Sequence, residues 1–116
     1  MIKSYRDLDV WQFSVDLSVK IYHLTKRFPK EELFGLTSQM RRCAVSIPSN
    51  IAEGQARNTT GEFKQFLGIS KGSLAELDTQ TEIAKRLVLL IEEEYAELQE
   101  EYGRIGRMLN GLQKSL

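Results

Sequence analysis

Ile91-Glu92-Glu93-Glu94-Tyr95-Ala96-Glu97-Leu98-Gln99-Glu100-Glu101-Tyr102-Gly103-Arg104-Ile105-Gly106-Arg107-Met108-Leu109-Asn110-Gly111-Leu112 carries the pattern on which the fold is read. Ile91, Tyr95, Leu98, Tyr102, Ile105, Leu109 and Leu112 follow at spacings of four, three, four, three, four and three. That is the repeat of a helix with one apolar seam. Glu92, Glu93 and Glu94 occupy the expected first turn, while Arg104, Arg107 and Lys114 come late. Acid at the start and base at the end complement the helix dipole, so the acidic run needs no ligand to account for it.

Working back from this helix, three more segments show apolar residues at helical spacing, and none alternates as a strand would. Thr59-Thr60-Gly61-Glu62 reads as a capping box, with Thr59 as cap and Glu62 reaching back. The stripe that follows is Phe63, Phe66, Leu67, Ser70, Leu74, Leu77, Thr81, Ala84 and Val88. Gly68 and Gly72 lie inside it, each costing about 1 kcal/mol against alanine, and a close helix crossing is expected there. The preceding segment, from about Glu31 to Arg57 with a break near Gly35, has the stripe Leu36, Met40, Cys43, Ile47 and Ile51. Ala44, Ser46, Ser49, Ala52, Gly54 and Ala56 surround it and predict a face that admits a neighbouring backbone closely. Pro48 in its middle lacks an N–H, so a kink is expected. Ser46, Ser49 or Asn50 should bond the freed carbonyls.

The first segment spans about Asp7 to Phe28 and stops before Pro29. It carries two apolar stripes: Leu8, Trp11, Val15, Val19 and Tyr22, and then Val10, Phe13, Leu17, Ile21, Leu24 and Phe28. Asp9, Gln12, Asp16, Lys20, His23 and Arg27 are left for water. Two stripes make a wider arc than one intramolecular seam needs. Either this helix is central, or part of the arc meets another subunit. Short connections between four helices predict an all-α fold, an antiparallel up-and-down four-helix bundle kinked at Pro48.

The chain has 116 residues, enough for a single domain over residues 1–116. Its 41% hydrophobic content is that of a globular protein, and its formal net charge is +0. The longest apolar run, Leu87 to Ile91, is five residues where a membrane span needs about 20. Met1-Ile2-Lys3-Ser4-Tyr5-Arg6-Asp7 turns charged too early for a secretory leader. The single Cys43 excludes an internal disulfide and fits a reducing cytoplasm.

Catalytic chemistry finds little support in these residues. A di-iron bundle needs Glu-x-x-His from two helices, and only His23 is present. A structural zinc site takes about four Cys or His ligands, and Cys43 and His23 are all there are. Cys43 reads as a buried structural thiol and His23 as solvated surface. Gly61, Gly68 and Gly72 lack the Gly-Lys-Ser/Thr ending of a phosphate loop. Neither an enzyme nor a cofactor or metal is expected. Charge is unevenly spread: residues 1–58 carry nine bases against six acids, and residues 59–116 seven against ten. Arg41, Arg42, Arg57 and Lys64 are the candidate nucleic-acid-binding residues, in a basic patch around the second helix and its following loop. The competing structural reading pairs these arginines with Glu53, Glu62 or Glu76.

Several stretches together carry a resemblance. They are Asp7-Leu8-Asp9-Val10-Trp11-Gln12, Ile21-Tyr22-His23-Leu24-Thr25-Lys26-Arg27-Phe28-Pro29, Gly35-Leu36-Thr37-Ser38-Gln39-Met40-Arg41-Arg42 and Ser46-Ile47-Pro48-Ser49-Asn50-Ile51-Ala52-Glu53-Gly54. Phe66-Leu67-Gly68-Ile69-Ser70-Lys71-Gly72-Ser73-Leu74-Ala75-Glu76-Leu77 completes the set. In this order the chain resembles the bacterial four-helix-bundle family of 23S rRNA intervening-sequence proteins. The resemblance implies an antiparallel bundle in ring-shaped homo-oligomers, often pentamers, with no catalytic residues to carry over. It also implies kinship to the accessory proteins of diversity-generating retroelements, whose basic rings bind a reverse transcriptase and nucleic acid. This chain departs from that branch in being neutral. The function expected is a non-enzymatic oligomeric scaffold for a protein or RNA partner; the alternative is a nucleic-acid-binding accessory protein.

Overall fold

The computed structural model describes residues 3–116; Met1 and Ile2, at the start of the N-terminal stretch read above, lie outside the described residues. Four helices carry the fold: α1 (Asp9–Thr25), α2 (Ser38–Gln55), α3 (Thr60–Arg86) and α4 (Glu92–Ser115). Each packs on its neighbour in the chain, and α1 closes the square against α4. The result is an up-and-down bundle with extents of 43 × 25 × 19 Å. Among the described residues no helix is long and apolar enough to cross a membrane.

The expected stripes line the core. Leu17 and Ile21 of α1, Met40, Ile47 and Ile51 of α2, Leu67 and Leu77 of α3, and Leu98, Ile105 and Leu109 of α4 are all buried. Of the two stripes on α1, the one through Leu17 and Ile21 faces inward. The other leaves Val19 and Tyr22 at the surface, 52% and 42% exposed.

The segment expected to start near Glu31 begins its regular helix only at Ser38. Before it lie a short 3-10 turn, Lys30–Glu32, and a wider turn, Leu33–Thr37. Gly35 departs from helical geometry there, at φ −110° and ψ −113°, which is the break the glycine predicted. Beyond it, α2 runs without interruption through Pro48. Proline has no N–H for the carbonyl four residues back, that of Ala44. Nearby side chains do bond carbonyls, Ser46 Oγ to Cys43 O at 2.7 Å and Asn50 Nδ2 to Ser46 O at 2.7 Å. The carbonyl that proline orphans is met from elsewhere. Ser18 of α1, buried against α2, places its Oγ 2.9 Å from Ala44 O. That hydroxyl is also 3.0 Å from Ser14 O of its own helix, but there the helix itself supplies an N–H. One turn along, Ser70 of α3 donates to Ile47 O at 3.0 Å.

The close helix crossing falls elsewhere than expected. A Cβ on Gly68 would come no nearer than 3.7 Å to Gln113, and one on Gly72 would meet nothing within 4 Å. At Gly54 a Cβ would sit 2.6 Å from Phe66 Cβ and 3.1 Å from Phe63 Cδ1. The backbone of α2 therefore approaches α3 most tightly through its small-residue face. At the start of α3, Thr59 caps the Glu62 N–H at 3.1 Å as expected. The Glu62 carboxylate, however, takes the Thr59 hydroxyl at 3.0 Å instead of the backbone N–H.

The α3–α4 turn corrects the reading of Val88 as a core residue. Leu89 N–H bonds Ala84 O and Val88 N–H bonds Lys85 O, both at 2.9 Å, the paired bonds of a left-handed helix stop. Glycine normally fills the left-handed position. Here Val88 does, at φ 61° and 84% exposed. For an L-residue that geometry costs about 1–2 kcal/mol. Ile91, the first position of the α4 heptad, is exposed as well.

Two stability experiments follow from this packing. Ser18→Ala leaves the Ala44 carbonyl buried without a donor and should cost about 1–3 kcal/mol in denaturant unfolding. In a Pro48→Ala background the helix regains that N–H, so the same change should cost less than about 1 kcal/mol; equal costs in the two backgrounds would refute the pairing. Gly54→Ala should lower the melting temperature, whereas Gly72→Ala should stabilise the helix by about 1 kcal/mol.

Candidate functional site

The four basic residues singled out from the sequence occupy two places. Arg41 and Arg42 lie in the first turns of α2, and Arg57 and Lys64 flank the α2–α3 turn. Fifteen residues separate Arg42 from Arg57. At the helical rise this is about 22 Å, so the structure brings the residues together as two pairs at opposite ends of α2.

Within the first pair the roles differ. Arg41 directs Nε to Thr25 Oγ1 at 2.9 Å and Nη2 to Tyr22 O at 3.4 Å, and its guanidinium lies 4.7 Å from the Tyr22 ring centroid. It thereby brings positive charge to the C-terminal end of α1, the negative end of the helix dipole. Arg42 is exposed and has no ion pair among the described residues. It lines a shallow surface depression with Tyr22, Leu33, Phe34, Ser38 and Arg41.

The second pair is largely engaged or solvated. Arg57 pairs with Glu53 at 2.8 Å and Glu62 at 3.9 Å, and lies 4.9 Å from the Phe66 ring centroid. These are two of the three acids that the structural reading named. The third, Glu76, has its Oε2 3.5 Å from Cys43 Sγ instead. The Lys64 side chain is exposed, while its backbone carbonyl accepts from Gln113 Nε2 at 2.9 Å.

Cys43 and His23 face different surroundings. Cys43 points at α3, where Gln80 Nε2 donates to its sulfur at 3.4 Å. Burial first, and then the Glu76 carboxylate, push its thiol pKa upward, so the sulfur stays protonated and unreactive at neutral pH. His23 is exposed on α1 and borders a mainly apolar depression formed with Ser18, Val19, Tyr22, Lys26 and Val45.

That depression is the most distinctive lateral surface of the chain. Val45 of α2 is 41% exposed beside the outward stripe of α1. Above it, Phe34 stands 94% exposed in the α1–α2 connection. Sequence reasoning missed Phe34 and Val45 because neither falls on a helical stripe. The signal available for Phe34 was an apolar pair, Leu33-Phe34, set against a helix-breaking glycine.

With this geometry described, the chain can be placed among known proteins. It is similar to a protein of unknown function from the S23 ribosomal protein family of Bacteroides thetaiotaomicron, known from a crystal structure. The identity is 24%, the TM-score is 0.84, and the match covers 90% of this chain and 95% of that one. At that identity the likeness speaks for the fold. A search of curated proteins finds no match to this sequence. The sequence profile of the 23S rRNA-intervening sequence proteins matches residues 6–111, nearly the whole length. The chain belongs to the family of 23S rRNA-intervening sequence proteins.

Proposed function

We propose that this chain is a non-enzymatic building block that assembles with copies of itself through the outer face of α1 and α2, and that the assembly is a scaffold for a macromolecular partner in the cytoplasm. The observation that carries the reading is the uncovered stripe of α1. Val19, Tyr22 and the adjacent Val45 are 52%, 42% and 41% exposed on one lateral face. The start of this stripe, Leu8 and Trp11, packs on the core, but core positions further along α1 are filled by the other stripe, which leaves Val19 and Tyr22 uncovered. A contact from such a face to a different face of the next copy is head-to-tail, and it closes into a ring when the rotation permits. The ring-forming habit implied by the family resemblance, often pentameric, agrees with that geometry.

Light scattering tests it directly. The expected mass is a multiple of the 13.3 kDa chain, and the Val19→Glu/Val45→Glu double variant should lose the lateral assembly and fall to no more than two chains, with unchanged helical content. A wild-type mass of one chain at micromolar concentration would overturn the proposal.

A second reading makes the partner RNA or DNA, as for a reverse-transcriptase accessory protein, and rests on Arg42. Its side chain is exposed on the rim of the depression it shares with Arg41, and Lys26 and Lys30 of the preceding connection are exposed as well. Phosphate binding through such groups weakens steeply with salt. Fluorescence anisotropy of a labelled structured RNA should show saturable binding that falls between low and high salt. Arg42→Gln should reduce the logarithmic salt slope by about one. Absence of binding at low salt rejects this reading and directs the search to a protein partner.

A further inference from the structure

The bundle has two chemically different ends. Both the α1–α2 connection and the α3–α4 turn lie at one of them, since α1 and α3 run in the same direction. The ion pair between Arg27, just past α1, and Glu94, in the first turn of α4, ties the two connections together. Leu33, Phe34, Leu87, Val88 and Ile91 are all exposed at this end, half of the ten exposed large hydrophobic side chains in the described residues. The opposite end, with the α2–α3 turn, has none of the ten.

Two features argue that the apolar end is a contact surface. The first is backbone geometry. Val88 is held in the left-handed region at the tip of the turn with its side chain 84% in solvent. A glycine or asparagine would serve the turn with less strain, and the valine side chain packs against nothing that repays it. The second is charge. Between Lys26 and Arg42 the chain carries five bases and two acids, a net +3. Between Glu82 and Glu97 it carries five acids and two bases, a net −3. The end is thus apolar in composition, basic on the α1–α2 side and acidic on the α3–α4 side, with equal and opposite charge.

We propose that this end pairs with the same end of a second copy about a two-fold axis. With the axis running along the line that separates the two connections, the α1–α2 side of each copy lies over the α3–α4 side of the other; an axis across that line would set like charges together and is disfavoured. Bases then meet acids at both edges, and Phe34 and Val88 are covered between them. A self-complementary patch of this kind is what a two-fold contact requires. A polyanion or an anionic bilayer would instead call for one sign of charge across the end. The contact is separate from the lateral face through Val19 and Val45, and it joins two assemblies, or two single chains, end to end.

Native mass spectrometry at equal protein concentrations tests it. Val88→Asp should halve the wild-type mass, while the melting temperature of the chain stays the same or rises, because aspartate tolerates the left-handed position. Glu92→Lys/Glu93→Lys makes the end uniformly basic and Lys26→Glu/Lys30→Glu makes it more acidic, so each alone should also give the halved mass. An equimolar mixture of these two variants should restore the doubled mass. Equal masses for wild type and Val88→Asp would overturn the proposal, as would failure of the mixture to recover. A mass increase seen only on adding RNA would overturn it too. Halving by Val88→Asp together with no effect of Val19→Glu/Val45→Glu would support this contact and reject the lateral one.

Discussion

The bundle depends on how the backbone of α2 is satisfied around Pro48. Proline leaves the Ala44 carbonyl without its helical donor, deep between α1 and α2 where water does not reach. An unmet buried acceptor is costly, and the orphan therefore acts as an anchor point. Ser18 of α1 meets it, and Ser70 of α3 reaches Ile47 O one turn further on. Two neighbouring helices are thus pinned to adjacent turns of one strand of backbone. Apolar packing alone tolerates sliding along a heptad; hydroxyls bonded to specific carbonyls do not. The register of α1 and α3 against α2 is held by these two serines, and that of α4 against α3 by the buried Thr81–Tyr102 hydroxyl pair at 2.7 Å.

That pinning matches the faces that α1 and α3 turn toward α2. With Ser18 turned to α2, the inward arc of α1 runs through Leu17, Ile21 and Thr25, and the stripe through Val19 and Tyr22 is rotated to the outside. On the other flank, Gly54 lets Phe63 and Phe66 of α3 approach the α2 backbone. Small residues and a proline in one helix thus serve close packing on two sides. The exposed apolar surface of α1 results from this choice of core, and the surface through which the chain is proposed to assemble is a by-product of its internal register.

The basic residues show how the same fold divides a charge cluster. Arg41 is drawn onto the carbonyl end of α1 and the Tyr22 ring, while Arg57 is held by Glu53 and Glu62 at the other end of α2. Arg42, next to Arg41 in the chain, remains in solvent on the rim of the depression it shares with Arg41 and Tyr22. Adjacent residues on a helix differ by about 100° in direction, and that rotation separates a structural arginine from an available one. At the α3–α4 turn the geometry leaves apolar groups in water: the left-handed stop terminates α3 two residues before the stripe ends, so Val88 leaves the core.

From the sequence alone, Gly35 marked the break before α2, and periodicity was enough to establish four helices, their order and nearly all of the buried stripe. These features repeat every three or four residues, and local spacing records them. The excess width of the α1 arc was also legible, since it needs only a count of stripes. Tertiary structure decided the remainder. Which α1 stripe is internal depends on Ser18 finding a carbonyl 26 residues away. Which glycine marks the close crossing depends on where α3 lies against α2, and this favoured Gly54 over Gly68 and Gly72. The candidate basic patch divided because its two pairs sit at opposite ends of α2 and so stand a helix length apart in space. The gathering of Phe34, Val88 and Ile91 at one end joins two connections more than fifty residues apart. Pairings between distant segments leave no period in the sequence, and only the folded chain brings them together.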